Sequence, residues 1–145
     1  MLVAVAPDLA STAASTSIFY LGEVLDGLIE AGQTPLVEEL LGFGHHHGAP
    51  VNAAELWRAR GLLLARRGEL EEASATLAEA ADRLRQTGNP LAIGRALLDQ
   101  GTILTDLGRF SEAAPVFQEA RTQFRRLRAE PWLERTDRAL APTAA

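Results

Sequence analysis

Apolar residues recur at helical spacing through most of the chain, in segments that end at glycine or proline. Spacings of three, four and seven residues predict pairs of amphipathic helices, and Gly32, Gly68 and Gly108 stand where the first helix of each pair would end. The predicted helices cover residues 18–31, 35–46, 53–67, 70–86, 91–107, 110–127 and 131–140. This pattern predicts an all-α fold built from antiparallel helical hairpins.

Two of the predicted hairpins are copies of each other. When the sequence is shifted by forty residues, Gly61 falls on Gly101 and Leu77 falls on Phe117. Glycine allows two helices to approach closely, and a large apolar residue fills the space between neighbouring hairpins. The forty-residue period predicts about six extra residues between these hairpins, at positions 88–93.

A weaker first copy precedes them, because Gly32 stands thirty-six residues before Gly68. The predicted organisation is a poorly ordered segment or short extra helix at 1–17, a single domain at 18–140, and a tail at 141–145. Within the domain, repeats are predicted at about 18–51, 54–87 and 94–127, followed by a capping helix at 131–140. Stacked repeats leave apolar end faces, so self-association through those faces is open.

The second and third copies resemble a tetratricopeptide repeat, a motif of about 34 residues with large, small and aromatic residues at fixed spacings. The resemblance is carried by Trp57, Gly61, Leu64, Gly68, Ala73, Leu77 and Ala80, and again by Leu97, Gly101, Leu104, Gly108, Ala113, Phe117 and Ala120. It implies a right-handed α-solenoid with a C-terminal capping helix. Arg60 and Gln100 depart from the family pattern, which usually has leucine there, and the proline that ends the repeat is missing.

The resemblance also implies where a partner binds. In this family the first helix of each hairpin lines a concave groove, and ligands usually lie in it. Carried over to this sequence, the partner-binding positions are Glu55, Arg58, Leu62, Arg66, Arg95, Leu98, Asp99, Thr102 and Thr105. Family members that bind chaperones clamp a terminal carboxylate with lysines, and because this chain contains no lysine, we do not expect that function.

Part of the chain resembles a narrower group of proteins. The residues that carry this likeness are 56–70, 95–109, 124–127 and 131–135. They are similar to the C-terminal helical-repeat region of bacterial LuxR-type, MalT-like ATPase transcriptional regulators and of cyclase-ATPase proteins. There the repeat array receives an inducer or a partner and controls the ATPase. The present sequence contains neither an ATPase nor a helix-turn-helix module, so we expect a stand-alone adaptor or a piece of such a regulator.

Composition argues against catalysis. The 145 residues include no cysteine and no lysine, and all three histidines form one tripeptide, His45 to His47. Nucleophilic catalysis would therefore need a serine or threonine with a base, and no histidine lies outside the tripeptide to serve as that base. Three consecutive histidines do not share one helix face, as metal ligands on a helix must, so no metal site and no cofactor are expected. Adventitious metal binding by the tripeptide stays open.

These observations together predict a non-catalytic module that binds a protein or peptide partner in its groove, in a bacterial signalling or transcription-regulatory system. The alternative is an effector-sensing, small-molecule-binding fragment of a LuxR-type regulator without its ATPase and DNA-binding modules. The net charge of −5 argues against direct nucleic-acid binding. No apolar run is long enough to span a membrane, so we expect a cytoplasmic protein.

Overall fold

The computed structural model describes residues 21–47 and 50–144, which form seven α-helices and one 3₁₀ turn. The helices are α1 (Leu21–Glu30), α2 (Thr34–His47), α3 (Pro50–Arg66), α4 (Leu70–Thr87), α5 (Pro90–Asp106), α6 (Phe110–Arg126) and α7 (Glu130–Leu140), and the 3₁₀ turn covers Ala141–Ala144. The predicted all-α fold is confirmed. The predictions for residues 1–17 lie outside the described residues.

The helices pack in the order in which they occur along the chain. Helices α3 and α4 form one hairpin, α5 and α6 form the next, and α4 against α5 joins the two. Helix α7 packs on α6 at the C-terminal end of the stack. The first pair differs, because α1 packs against α3 at least as much as against its neighbour α2.

Glycine ends most of the helices by adopting the left-handed backbone conformation. Gly32, Gly68, Gly88 and Gly108 have φ of +74°, +80°, +69° and +74°. Glycine takes this conformation without the steric cost that a Cβ atom brings, and the amides that follow then bond back to the last carbonyl groups. Arg128 ends α6 in the same way with φ of +52°, although it carries a side chain.

The extra residues of the forty-residue period lie partly within a helix, and that helix begins one residue before its predicted start at Leu91. Helix α5 begins at Pro90, so residues 90–93 form its first turn. The Asn89 side chain caps this helix by accepting hydrogen bonds from the amides of Leu91 and Ala92 at 3.1 and 3.3 Å. Proline suits a first helical turn because its missing N–H would be unpaired there anyway. The longer period therefore lengthens a helix and leaves the connection short.

Close helix approach at the repeated glycines is confirmed. A Cβ atom added to Gly61 would lie 2.6 Å from Leu77 Cγ, and one added to Gly101 would lie 2.5 Å from the Phe117 ring. Gly94 shows the same feature, with Phe124 at 2.5 Å. Phe117 and Phe124 are completely buried, so these glycines let the large residues of α6 fill the core against α5.

Helix α7 covers the end of this core, as predicted. The Trp132 ring stacks on Phe124 with 5.5 Å between ring centroids, and Leu133 and Leu140 pack against the same cluster. The 3₁₀ turn that follows packs against α6 and α7. Among the described helices, none combines the length and the apolar composition that crossing a membrane requires.

Candidate partner-binding groove

The predicted groove residues lie on α3 and α5, which are the first helices of two successive hairpins. One face of α1, α3 and α5 carries Glu23, Asp26, Glu55, Arg58, Arg95, Asp99 and Thr102, and it is called the groove face below. Helix periodicity places such residues together because positions three, four and seven apart share one side of a helix. The groove face therefore combines side chains from three successive hairpins.

Arg58 lies at the centre of the groove face and links three helices. Its side chain is 5% exposed, and it donates from Nη1 and Nη2 to the two carboxylate oxygens of Asp26 at 2.8 and 3.2 Å. Its Nε donates to Asp99 Oδ2 at 2.9 Å. This paired geometry matches the planar guanidinium to a carboxylate, which makes such contacts strong and directional. Arg58 thus links α1 and α5 to α3.

Arg95 extends the same network towards the C-terminal cap. It is 8% exposed at the side chain, donates from Nη1 to Glu23 Oε1 at 3.2 Å, and contacts Asp26 through Nη2. Its guanidinium carbon lies 5.5 Å from the centre of the Trp132 ring, within the range of a cation–π interaction. The network therefore runs from α1 through α3 and α5 to α7.

The charges of the network are not balanced. Four carboxylates face two guanidinium groups. Glu55 is the most enclosed of the four, with a side chain 12% exposed and its Oε2 atom 3.8 Å from Arg58 Nη1. Burial raises the pKa of Glu55 above its usual value; Arg58 opposes this shift, and the carboxylates of Glu23 and Asp99 add to it. The negative groups are more accessible than the positive ones, because the Glu23 side chain is 52% exposed.

Two threonines border the network on α5. Thr102 is exposed and Thr105 is half-buried. Thr102 donates its hydroxyl hydrogen to the carbonyl of Leu98 at 2.8 Å, and Thr105 donates to that of Gly101 at 2.9 Å. Since each hydroxyl hydrogen is used within the helix, both oxygens remain able to accept hydrogen bonds from a bound molecule.

A comparison with protein families gives one match. A model of the tetratricopeptide repeat matches residues 52–126, which is more than half of the 145-residue chain. The chain belongs to the tetratricopeptide repeat family. The matched segment covers most of α3, all of α4 and α5, and α6 to its last residue. Neither the curated proteins nor the solved structures gave a match.

Membership of the tetratricopeptide repeat family has a functional consequence. Such repeats act as protein–protein interaction modules, and the family is typically non-catalytic. Among the side chains that the structure describes, no group of three or more histidine, cysteine, aspartate or glutamate residues could hold a metal ion.

One departure from the tetratricopeptide pattern has a structural explanation. Arg60, where the family usually has leucine, lies with its guanidinium carbon 5.5 Å from the centre of the Trp57 ring. Arg83 from α4 approaches the same ring at 4.6 Å. Both cations lie within the range of a cation–π interaction with this ring, since an indole ring attracts positive charge over its faces.

The nine predicted groove residues of the tetratricopeptide array fall into three groups. Four of them meet in the network: Glu55, Arg58, Arg95 and Asp99. Two pack into apolar clusters, Leu62 and Leu98. The other three lie at or near the surface: Arg66, Thr102 and Thr105. Arg58 and Arg95 are both buried and paired with carboxylates. Their role in binding stays a prediction, and the structure gives them a fixed role between helices.

Sequence reasoning missed the two residues of α1 that complete the network, Glu23 and Asp26. A signal was present, because the thirty-six-residue shift that aligns Gly32 with Gly68 also aligns Asp26 with the predicted groove position Leu62. Applying the family positions to the first, weaker repeat would therefore have placed an acid on the groove face.

Proposed function

We propose that this chain binds a protein partner along its groove face. The observation that carries the proposal is the buried network itself, in which two arginines fix carboxylates from successive first helices at one surface. Polar groups held in place before binding cost less entropy when a partner arrives. The family of the chain supplies the general role, and the groove face supplies the place.

The residues proposed to contact the partner are the accessible members of the predicted set. Asp99 keeps a side chain 20% exposed while it accepts from Arg58, and Thr102 lies beside it one turn further along α5. Arg66 is exposed in the last turn of α3. These residues combine a negative group, a hydrogen-bond acceptor and a positive group along one face. Glu55, Arg58 and Arg95 are proposed to position them.

For the biological setting we propose a bacterial signalling or transcription-regulatory system inside the cytoplasm. Support comes from the resemblance of residues 56–70 and 95–109 to the helical-repeat region of LuxR-type regulators. The alternative function is the sensing of a small-molecule effector. Glu55 Oε2 favours it, because this buried oxygen has no hydrogen-bond partner among the described residues and would accept from a ligand's donor group.

A pair of matched substitutions tests the groove proposal. Thr102 on α5 and Thr122 on α6 are both exposed, and both donate to the carbonyl four residues earlier, Thr122 at 3.0 Å. Thr102→Trp places a large ring on the groove face, and Thr122→Trp places the same ring on a second helix. A partner is first captured by the intact chain, then purified and titrated against wild type and both variants by calorimetry.

We expect Thr102→Trp to weaken partner binding at least tenfold and Thr122→Trp to leave it within twofold of wild type. Equal effects of the two substitutions would contradict groove binding. For the alternative function, effectors that raise the melting temperature of wild type should lose that effect in Glu55→Gln. A ligand that stabilises both proteins equally would argue against an effector site at Glu55.

A further inference from the structure

Helix α1 departs from the hairpin pattern of the other repeats. In the two following hairpins each helix packs mainly against its own partner, whereas α1 packs against α3 at least as much as against α2. The apolar cluster that holds Leu25 and Ile29 of α1 also contains Leu36 and Val37 of α2 and Ala59 and Leu63 of α3. Helix α1 therefore packs on both α2 and α3.

The same helix supplies the carboxylates that neutralise the buried arginines. Glu23 and Asp26 stand one turn apart on α1, and both carboxylates that Arg95 contacts come from them. Without α1, Arg58 would keep Glu55 and Asp99 as partners on α3 and α5, whereas Arg95 would have no carboxylate partner among the described residues. The surface beneath α1 therefore presents Arg95 as an unpaired cation, and α1 covers it with two carboxylates.

This surface also holds an unsatisfied donor. The Arg95 side chain is more than nine-tenths buried, and its Nε–H has no hydrogen-bond partner among the described residues. A buried donor without an acceptor is unfavourable. A carboxylate that accepts from Nε and one Nη together would satisfy it, since these two N–H groups point in parallel along one side of the guanidinium. Helix α1 binds Arg95 through its Nη atoms only.

We propose that the α3/α5 surface is a receptor for an acidic helix, and that α1 occupies this receptor within the same chain. A partner helix of this kind carries two carboxylates one turn apart, beside leucine or isoleucine residues that replace Leu25 and Ile29. The proposal rests on the proposed function, because it names the chemistry of the groove's partner. It makes α1 a competitor that such a partner displaces.

Gly27 allows this competition to be tuned without changing any charge. It lies inside α1, is exposed, and a Cβ atom added to it meets nothing within 4 Å. Gly27→Ala strengthens α1 through helix propensity. Gly27→Pro breaks the helix by removing an amide donor and introducing a steric clash. The two variants therefore move α1 docking in opposite directions on an unchanged receptor surface.

The probe is a fluorescently labelled synthetic peptide of residues 18–33, titrated by anisotropy against full-length wild type and both Gly27 variants. Two control peptides carry E23Q with D26N, or lysine at both of those positions. We expect the native peptide to bind Gly27→Pro at least tenfold more tightly than wild type and Gly27→Ala more weakly than wild type. We expect neither control peptide to bind measurably.

Equal affinity of the native peptide for all three proteins would overturn the proposal. Preferential binding of the lysine peptide would also overturn it, because that result would indicate a basic partner that binds while α1 stays in place. Hydrogen exchange covers the case in which Gly27→Pro fails to fold. Saturating native peptide should increase amide exchange in α1 of wild type, and unchanged protection there would overturn the proposal. Suppose that Thr102→Trp abolishes binding of the captured partner, while both Gly27 variants bind that partner with wild-type affinity. The proposed groove function then holds, and only this inference fails.

Discussion

Replacing Asp26 by asparagine removes the carboxylate that Arg58 and Arg95 share. Loss of one partner from a buried ion pair costs about 3–5 kcal/mol, because the remaining charge stays buried without compensation. Two features lower that cost here, since the Asp26 side chain is 22% exposed and Arg58 keeps its hydrogen bond to Asp99. We therefore expect Asp26→Asn to lower the free energy of unfolding by about 2–3 kcal/mol.

This change is large against a total stability of about 5–15 kcal/mol for a typical domain, so urea unfolding followed by circular dichroism at 222 nm will resolve it. Asp106→Asn is the matched control, because Asp106 is exposed and forms no ion pair with the described residues. We expect the control to stay within about 0.5 kcal/mol of wild type. Hydrogen exchange should show whether α1 opens by itself before the whole chain unfolds.

An effect of Asp26→Asn no larger than that of the control would refute the reasoning, since the two arginines would then not depend on α1. The effect should also persist at high salt, because buried pairs are screened much less than exposed ones. Loss of most of the difference between 0.15 and about 1 M sodium chloride would indicate a solvated surface pair instead.

Three further predictions follow from single features of the structure. Burial raises the pKa of Glu55, so the folded chain binds more protons than the unfolded chain, and stability falls as pH rises above the ordinary glutamate pKa of about 4.3. Glu55→Gln should therefore melt at a higher temperature than wild type at pH 7 and at the same temperature at pH 4. A melting-temperature difference that is the same at both pH values would contradict this. Gly101→Ala should lower the free energy of unfolding by about 1–3 kcal/mol in urea because its methyl group meets the Phe117 ring; a stabilising effect from helix propensity alone would show that the ring yields. Arg128→Gly should raise the free energy of unfolding by about 0.5–1 kcal/mol, because arginine is strained at φ of +52°; no gain would show that the arginine side chain compensates for its backbone.

The architecture was predictable because it depends on local periodicity. Apolar spacing placed every described helix to within about three residues, and glycine at Gly68 and Gly108 marked helix ends by its backbone freedom. The match of Gly61 with Gly101 across forty residues identified the close contacts with Leu77 and Phe117. The predicted start of α5 at Leu91 lies one residue from its observed start at Pro90.

The candidate site was predictable only as a face. Helix position shows that Arg58 and Arg95 point towards the groove, but not what the neighbouring helix presents to them. Their partner Asp26 is thirty-two and sixty-nine residues away in the sequence, and the contact depends on how three successive helices are arranged. The sequence pattern alone therefore does not distinguish an accessible polar side chain from one that is buried and paired. That distinction depends on how the helices pack.

Nuclear magnetic resonance of the isotope-labelled chain with its captured partner tests groove binding most directly. The account predicts that amide shift changes concentrate on α3 and α5, around Arg66, Asp99, Thr102 and Thr105. The largest changes on α4 and α6, with the groove face unaltered, would contradict it.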